Sequence, residues 1–271
     1  MTIIFNAILR IQYFPKPWKL AQIKMLHKPG KNPHQTASYR PISLHPVFSK
    51  ILEKIIYCRI KTIIEIKKLI PEHQFGFKNK HSTIEQMHRL INKIIIGLEN
   101  KEYCTALFMD IEKAFDKINH ESLLQTIRKQ FPEQIHQLVK SYLSSRTFVI
   151  KIKDTHSQVK DIKAGVPQGS VLGPILYTLY TANVPTTTNS TVLTFASDTA
   201  LLVRHTNPET AVKLLQEHIT KIEKWLHEKQ IKANPNKRNH ITFTLRKQIP
   251  ANILLNGTHT TQTKQNRDNA S

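Results

Sequence analysis

The sequence predicts an α+β fold with antiparallel strand pairs set among helices. Three observations lead there. Apolar residues recur at helical spacing in several long segments, short β-branched runs lie between them, and two pairs of those runs are close enough to form hairpins. The 271 residues leave room for one large domain or two small ones. Apolar residues make up 39%, with 11 Phe, 7 Tyr and 2 Trp, which supplies an ordinary core and excludes a disordered basic tail.

The elements follow in chain order. Residues 15–42 are rich in proline and basic groups, with KPGKNP at 28–33 as a loop and a turn beginning at Arg40-Pro41. From Val47 to about Ile66, the rows Val47, Ile51, Ile55 and Phe48, Leu52, Ile56 mark an amphipathic helix, and Pro71 ends that region. Ser82 and Glu85 are spaced as a capping box, opening a helix through Met87, Leu90, Ile91 and Ile94 toward Gly97. TALFMD (105–110) reads as a buried strand that stops at a carboxylate. Helices are expected from about Asn119 and again from Pro132 to Leu143.

TFVIKIK (147–153) and SQVKDIK (157–163) form an expected hairpin. Three of only seven glycines, Gly165, Gly169 and Gly173, then cluster before an apolar helix at 171–182. Such clustering in a glycine-poor chain points to tight turns or close approach of a ligand. TVLTFA (191–196) and TALLV (199–203) are apolar strands separated by Ser197-Asp198, a tight hairpin. Asn207-Pro208 caps a long helix to about Gln230 that carries Trp225. HITFTL (240–245) and ILLN (253–256) are the last strands, and a polar, loose tail closes the chain.

Charge narrows the function. Lys and Arg number 40 against 19 Asp and Glu, a formal +21. The first acidic residue is Glu53, and Arg10, Lys16, Lys19, Lys24, Lys28, Lys31, Arg40 and Lys50 all precede it. Such a field repels itself unless an anion screens it, and nucleic-acid phosphates do so with counterion release. No apolar run approaches the ~20 residues of a membrane span, so no membrane role is expected. MTIIFNAILR is a poor signal peptide, and Cys58 and Cys104 form neither a disulfide framework nor a zinc spacing. An intracellular protein follows, with nothing to divide nucleus from cytoplasm.

In this basic chain the few aspartates matter. Asp110 ends one apolar strand and Asp198 sits at a hairpin tip. Side by side in one sheet they would serve a Mg²⁺ site, because hard cations take carboxylate oxygens and substrate phosphates. Taken singly, Asp110 also suits a helix cap and Asp198 a turn.

YRPISL (39–44), FMDIEKAFDKINH (108–120), AGVPQGSVLGPILYTLY (164–180), LTFASDTALL (193–202) and IKANPNKRNHITF (231–243) occur in that order. This series closely resembles the reverse transcriptase domain of non-LTR retrotransposons, above all the jockey-like group, over roughly residues 1–258. The resemblance implies right-hand polymerase fingers and palm, with an antiparallel palm sheet packed on helices. It places fingers and fingers–palm helices at 1–100, palm at 101–258 and a polar, disordered tail at 259–271. RNA template, DNA primer, deoxynucleoside triphosphates and Mg²⁺, with Mn²⁺ as a substitute, are the partners it implies.

Residue by residue, the resemblance gives Asp110 and Asp198 the metal. Phe115 matches the aromatic gate under the sugar of the incoming nucleotide, where a ring leaves no space for a 2′-hydroxyl. From pattern alone Phe115 also suits a helix core. Gln168 and Gly169 fall in the turn that touches nucleotide and template. Arg40 and Lys28 match triphosphate-gripping residues, although HKP at 27–29 replaces the family's usual proline-lysine-proline. Lys237 resembles the lysine that protonates the pyrophosphate leaving group. For any single lysine a solvated surface charge remains an alternative.

One departure is chemical. The family reads Tyr-Ala-Asp-Asp at the hairpin, and this chain reads Phe195-Ala196-Ser197-Asp198. Ser197 replaces a metal-binding aspartate, so two dications would be under-neutralised and activity impaired by several powers of ten. Set against the family, the expectation is that this sequence starts after the usual endonuclease and stops before the thumb segment. The expectation is therefore a weak or inactive RNA-directed DNA polymerase, with a non-catalytic, basic nucleic-acid-binding remnant of the same fold as the alternative. A ribosomal-type RNA-binding protein would explain the charge but not LFMDIEKAFD followed by the glycine-rich turn.

Overall fold

The computed structural model describes residues 1–246, 253–255, 258–259 and 261–262. In chain order its elements are α1 (Thr2–Ile11), β1 (Leu20–His27), β2 (Tyr39–Leu44), α2 (Val47–Lys67), α3 (Thr83–Glu99), β3 (Tyr103–Asp110), α4 (His120–Gln130), α5 (Glu133–Leu143), β4 (Arg146–Ile152), β5 (Thr155–His156), β6 (Lys160–Ile162) and α6 (Gly173–Tyr180). β7 (Thr191–Phe195), β8 (Asp198–His205), α7 (Pro208–Glu228), β9 (Asn239–Phe243), β10 (Leu254–Leu255), β11 (Thr258–His259) and β12 (Thr261–Gln262) complete it. The class is α+β, as expected. The tail at 259–271 lies, apart from His259, Thr261 and Gln262, outside the described residues. Among the described residues no helix is long and apolar enough to cross a membrane. Two compact units interleave along the chain: Met1–Ile70 with Phe115–Thr181, and Pro71–Ala114 with Ala182–Ser271.

In the first unit β2, β1 and β4 form a sheet, with β1 antiparallel to β2 and parallel to β4. KPGKNP at 28–33 is loop, as expected, but it links two strands that the proline-rich, basic stretch hid, and Arg40-Pro41 lies inside β2 rather than starting a turn. Pro41 is tolerated because β2 is the edge strand, where a missing N–H removes no ladder bond. The hairpin after α5 is real but interrupted: β4 pairs first with β6 and then, at its far end, with β5. On α2 only one of the two predicted rows is buried, through Leu52, Ile56, Ile60 and Ile64, while Val47, Phe48 and Ile51 are exposed. α4 packs on α5 and α6, burying Leu123, Ile127, Leu138 and Leu176.

A buried polar knot holds this unit. Glu53 and Arg146 are both fully buried. Glu53 Oε2 accepts the backbone N–H of Val171 (2.8 Å) and Leu172 (3.1 Å) at the start of α6, and the Tyr142 hydroxyl donates to it at 3.4 Å. Arg146 Nη2 lies 2.7 Å from His45 Nε2, and its Nη1 donates to the Tyr142 carbonyl. Burial pushes the Glu53 carboxyl up against the pull of those donors and of Arg146. Burial, Arg146 and Lys50 together hold His45 down to about 3.

The second unit is built on a sheet of order β12-β9-β3-β8-β7, antiparallel except where β12 joins β9. α3 begins with the expected capping box of Ser82 and Glu85. Its Leu90 and Ile94 cover one face of the sheet against Cys104, Ala106, Leu193, Ala200 and Leu202. Gly97 is what lets α3 come so close, since a Cβ there would sit 2.3 Å from Cys104 Sγ. On the other side of the pleat Leu107, Leu201 and Val203 are fully buried. α7, capped by Asn207, packs on β3 and β8 with Leu215, Ile219 and Ile222 inside.

His240 on β9 is fully buried, with Nε2 2.7 Å from Thr105 Oγ1, and burial holds its imidazole down to about 4. Its proton affinity is thus lower folded than unfolded, so its contribution is complete above about pH 6.5 and is lost as pH falls through about 4. Unfolding free energy measured in urea between pH 7 and pH 4 should fall on acidification. His240→Gln should remove roughly 3 kcal/mol of that fall, at about 1.4 kcal/mol per pH unit. An unchanged pH slope in the variant would contradict this.

Candidate functional site

β3 and β8 meet in a register that runs from Tyr103↔His205 to Asp110↔Asp198. The two aspartates are therefore direct cross-strand partners on the face that also carries Cys104, Ala106, Ala200 and Leu202. Asp110 ends β3 and is half-buried, and Asp198 opens β8 just past the hairpin tip. The link between β7 and β8 is Ala196-Ser197, one residue off the expected Ser197-Asp198.

Lys237 joins them. The segment after α7 runs past the end of β3: Ala233 bridges Ile111, Glu112 N–H donates to the Lys232 carbonyl, and Asn234 N–H donates to the Asp110 carbonyl at 2.7 Å. The Asn234 side chain caps the turn Pro235–Lys237, which brings Lys237 Nζ to 2.7 Å from Asp110 Oδ2. The Lys237 side chain is 63% exposed, so this ion pair contributes under ~1 kcal/mol and yields readily. Lost hydration raises the Asp198 pKa most, the Asp110 charge raises it further, and Lys237 pulls it back. A cavity of about 310 Å³ opens beside the trio, walled by Met87, Leu90, Phe108 and Phe195.

The first unit collects other predicted residues. Arg40, exposed on β2, lies opposite Leu26 on β1. Lys28 follows β1 directly and its Nζ donates to the Ala37 carbonyl at 2.8 Å, so it helps close the loop between the strands. β2 also meets the glycine-rich turn, with Ser43 N–H donating to the Gln168 carbonyl at 2.8 Å. Gly169 adopts φ +104°, and a Cβ there would press on Ser43 O at 3.0 Å. Arg40 thus lies three residues along β2 from Ser43, the residue that Gln168 and Gly169 meet.

Phe115 lies in turns between β3 and α4, not on a helix as its alternative assignment supposed. Its ring is half-buried and stacks on Tyr177 with centroids 5.1 Å apart. Its carbonyl accepts Val166 N–H, and Gly165, at φ +84°, packs so tightly that a Cβ would lie 2.8 Å from Phe115 O. Lys19 departs from the basic-field expectation: it is buried, its Nζ donating to the Ser144 carbonyl, so it is structural.

Among the described residues no three His, Cys, Asp or Glu side chains gather to hold an ion. The donors offered are the two facing carboxylates of Asp110 and Asp198. Sequence reasoning missed Gln74 and Gln86. Gln74 bonds the hairpin tip, and Gln86 Nε2 donates to the Thr194 carbonyl beside it. The one available signal was Gly76, isolated in a glycine-poor chain two residues after Gln74.

Residues 26–265 match the family described as "Reverse transcriptase (RNA-dependent DNA polymerase)". The chain is 41% identical over 258 residues to the probable RNA-directed DNA polymerase from transposon BS of Drosophila melanogaster, covering 92% of this chain and 28% of that protein. It is also 41% identical over 265 residues to the RNA-directed DNA polymerase from mobile element jockey of the same species, covering 95% and 29%. The chain thus spans less than a third of these curated relatives. Among solved structures, apo telomerase from Candida tropicalis shares the fold at TM-score 0.61 and 13% identity, over 95% of this chain and 51% of that one.

The charge balance at the trio is testable by carboxyl NMR. Asp110→Asn should lower the Asp198 pKa by removing the facing charge, and Lys237→Met should raise it. An Asp198 titration indifferent to both changes would separate the three side chains in solution.

Proposed function

The chain belongs to the reverse transcriptase (RNA-dependent DNA polymerase) family, in its non-LTR retrotransposon branch, and on that premise we propose that it carries out nucleotidyl transfer onto a primer 3′-hydroxyl with RNA as template, weakened by Ser197. The observation that carries this reading is the pairing of Asp110 with Asp198. A basic protein that sets two of its few carboxylates face to face accepts their repulsion, and a shared cation relieves it.

The donor set fits a divalent ion in part. Two carboxylates suit one Mg²⁺ or Mn²⁺ that completes its shell with substrate phosphates. A pair of ions would meet only two formal negative charges, with Lys237 already drawn to Asp110. Bound there, the metal supplies charge stabilisation and activation of the attacking hydroxyl. Lys237, exposed beside Asp110, would serve from Nζ as proton donor to the departing pyrophosphate. Arg40 offers its planar fork to triphosphate oxygens, with Lys28 beside it in the loop. Phe115, braced by Tyr177 and the Gly165 backbone, excludes a 2′-hydroxyl. Gln168 and Gly169 present backbone and carboxamide to nucleotide and template.

Ser197 favours a second reading, a nucleic-acid-binding domain of the same fold without catalysis. A neutral hydroxyl adds no charge to the site, and a transition-state deficit of a few kcal/mol means several powers of ten in rate. The basic surface of the first unit would then bind primer–template through phosphates alone, with affinity falling steeply as salt rises.

Primer extension on an RNA template with Mg²⁺ or Mn²⁺ decides. Ser197→Asp should extend at least ~100-fold faster than the unaltered chain, and adding Asp198→Asn should abolish the gain. Fast extension by the unaltered chain would refute the role given to Ser197. Salt-sensitive binding with no extension by either protein would favour the binding reading. In the Ser197→Asp background, Phe115→Val should relax discrimination against ribonucleotides by about tenfold or more, the scale on which a lost steric clash is felt.

A further inference from the structure

We infer that Gln74 is a positioning residue whose carboxamide clamps the β7–β8 tip and thereby holds Asp198 opposite Asp110. This deepens the proposed metal role of the aspartate pair and rests on that reading for its functional consequence. The tip needs a clamp for a backbone reason. Ala196 sits at φ +55°, where a residue with a Cβ is rarely found and is strained.

Gln74, almost wholly buried, makes three hydrogen bonds, two of them to that turn. Its Oε1 accepts Ala196 N–H at 3.0 Å and Gly76 N–H at 2.8 Å, and its Nε2 donates to the Ala196 carbonyl at 3.3 Å. Two N–H groups on one end and a carbonyl on the other fix which way the amide points. Gly76 completes the contact, for a Cβ there would stand 2.1 Å from Ala196 N. Only glycine allows the two backbones so near.

The clamp is itself anchored. Gln74 forms a parallel bridge with Thr194, Phe75 N–H donates to the Thr194 carbonyl, and Thr194 N–H donates to the His73 carbonyl, each at 2.9 Å. Gln86 on α3 ties both strands, its Nε2 donating to the carbonyls of His73 (2.9 Å) and Thr194 (3.0 Å). Residues 73–76 thus seal the free edge of β7 at the point where it delivers Asp198 to the site. Gln74 bonds backbone only and acts through the hairpin.

Gln74→Met keeps the volume and removes all three bonds, whereas Gln74→Glu keeps an acceptor for the two N–H groups. Hydrogen exchange on the full chain should show the Ala196 and Gly76 amides exchanging ten- to a hundredfold faster in Gln74→Met, and protection largely restored in Gln74→Glu. Mn²⁺ binding followed by electron paramagnetic resonance should weaken about tenfold in Gln74→Met. Unchanged exchange at Ala196 in Gln74→Met overturns the inference. If Gln74→Met does not fold, the unaltered protein and Gln74→Glu decide: an Ala196 amide as fast as in unfolded chain overturns it, and protection kept in both supports it. If Asp198→Asn binds Mn²⁺ as tightly as the unaltered chain, the metal reading of the pair fails, and the clamp stands or falls on exchange alone.

Discussion

The register between β3 and β8 governs the chemistry of the second unit. Side chains alternate across a strand, so a slip of one residue would send Asp110 and Asp198 to opposite faces of the sheet. The two carboxylates do not themselves favour this register, since like charges set directly opposite repel. The resistance comes from behind them. Leu107, Leu201 and Val203 are fully buried on one face, and Ala106 and Leu202 on the other. Each large apolar side chain gains roughly 1.5–3 kcal/mol from burial, which outweighs a repulsion softened by water at the hairpin tip and by Lys237. The core therefore holds an arrangement that the site alone would not keep.

Much of that site could be read from sequence because its residues terminate recognisable runs. Asp110 ends TALFM, Asp198 follows TVLTFA by a two-residue step, and Lys237 follows an Asn-Pro turn. The two aspartates can be read from the runs they end, whereas Lys237 is legible only through the family resemblance. Gln74 was illegible for the opposite reason. It stands in a short stretch without periodicity, and its partners are backbone groups of Ala196, 122 residues away. Backbone acceptors and donors leave no trace in residue identity, so only Gly76 hinted that two chains meet there.

The same limit applied to the fold. Helices with a cap and a stripe were found nearly to the residue, as at Ser82 and Asn207. β1 and β2 were missed because prolines and lysines disguise an exposed edge pair whose order comes from β4, more than a hundred residues downstream. The exposed half of the α2 stripe, Val47, Phe48 and Ile51, shows that periodicity reports which face is apolar, not how much of it is covered. Glu53 was legible only as the first acid in the chain. Its place under α6, among Tyr142 and the amides of residues 171–172, depends wholly on tertiary structure.

The interleaving of the two units bears on how the protein is made. When residues 1–70 leave the ribosome, Glu53 and His45 have none of the partners that they meet at Tyr142, Arg146 and Leu172. Residues 71–114 then emerge bearing β3, a strand buried on both faces, before β8 or β9 has been translated. In the first unit β1 can already pair with β2, but β3 of the second must wait, unpaired and apolar, for elongation past residue 198. Contacts of such long sequence separation form late, and until they do an unpaired apolar strand such as β3 is open to pairing with a neighbouring chain.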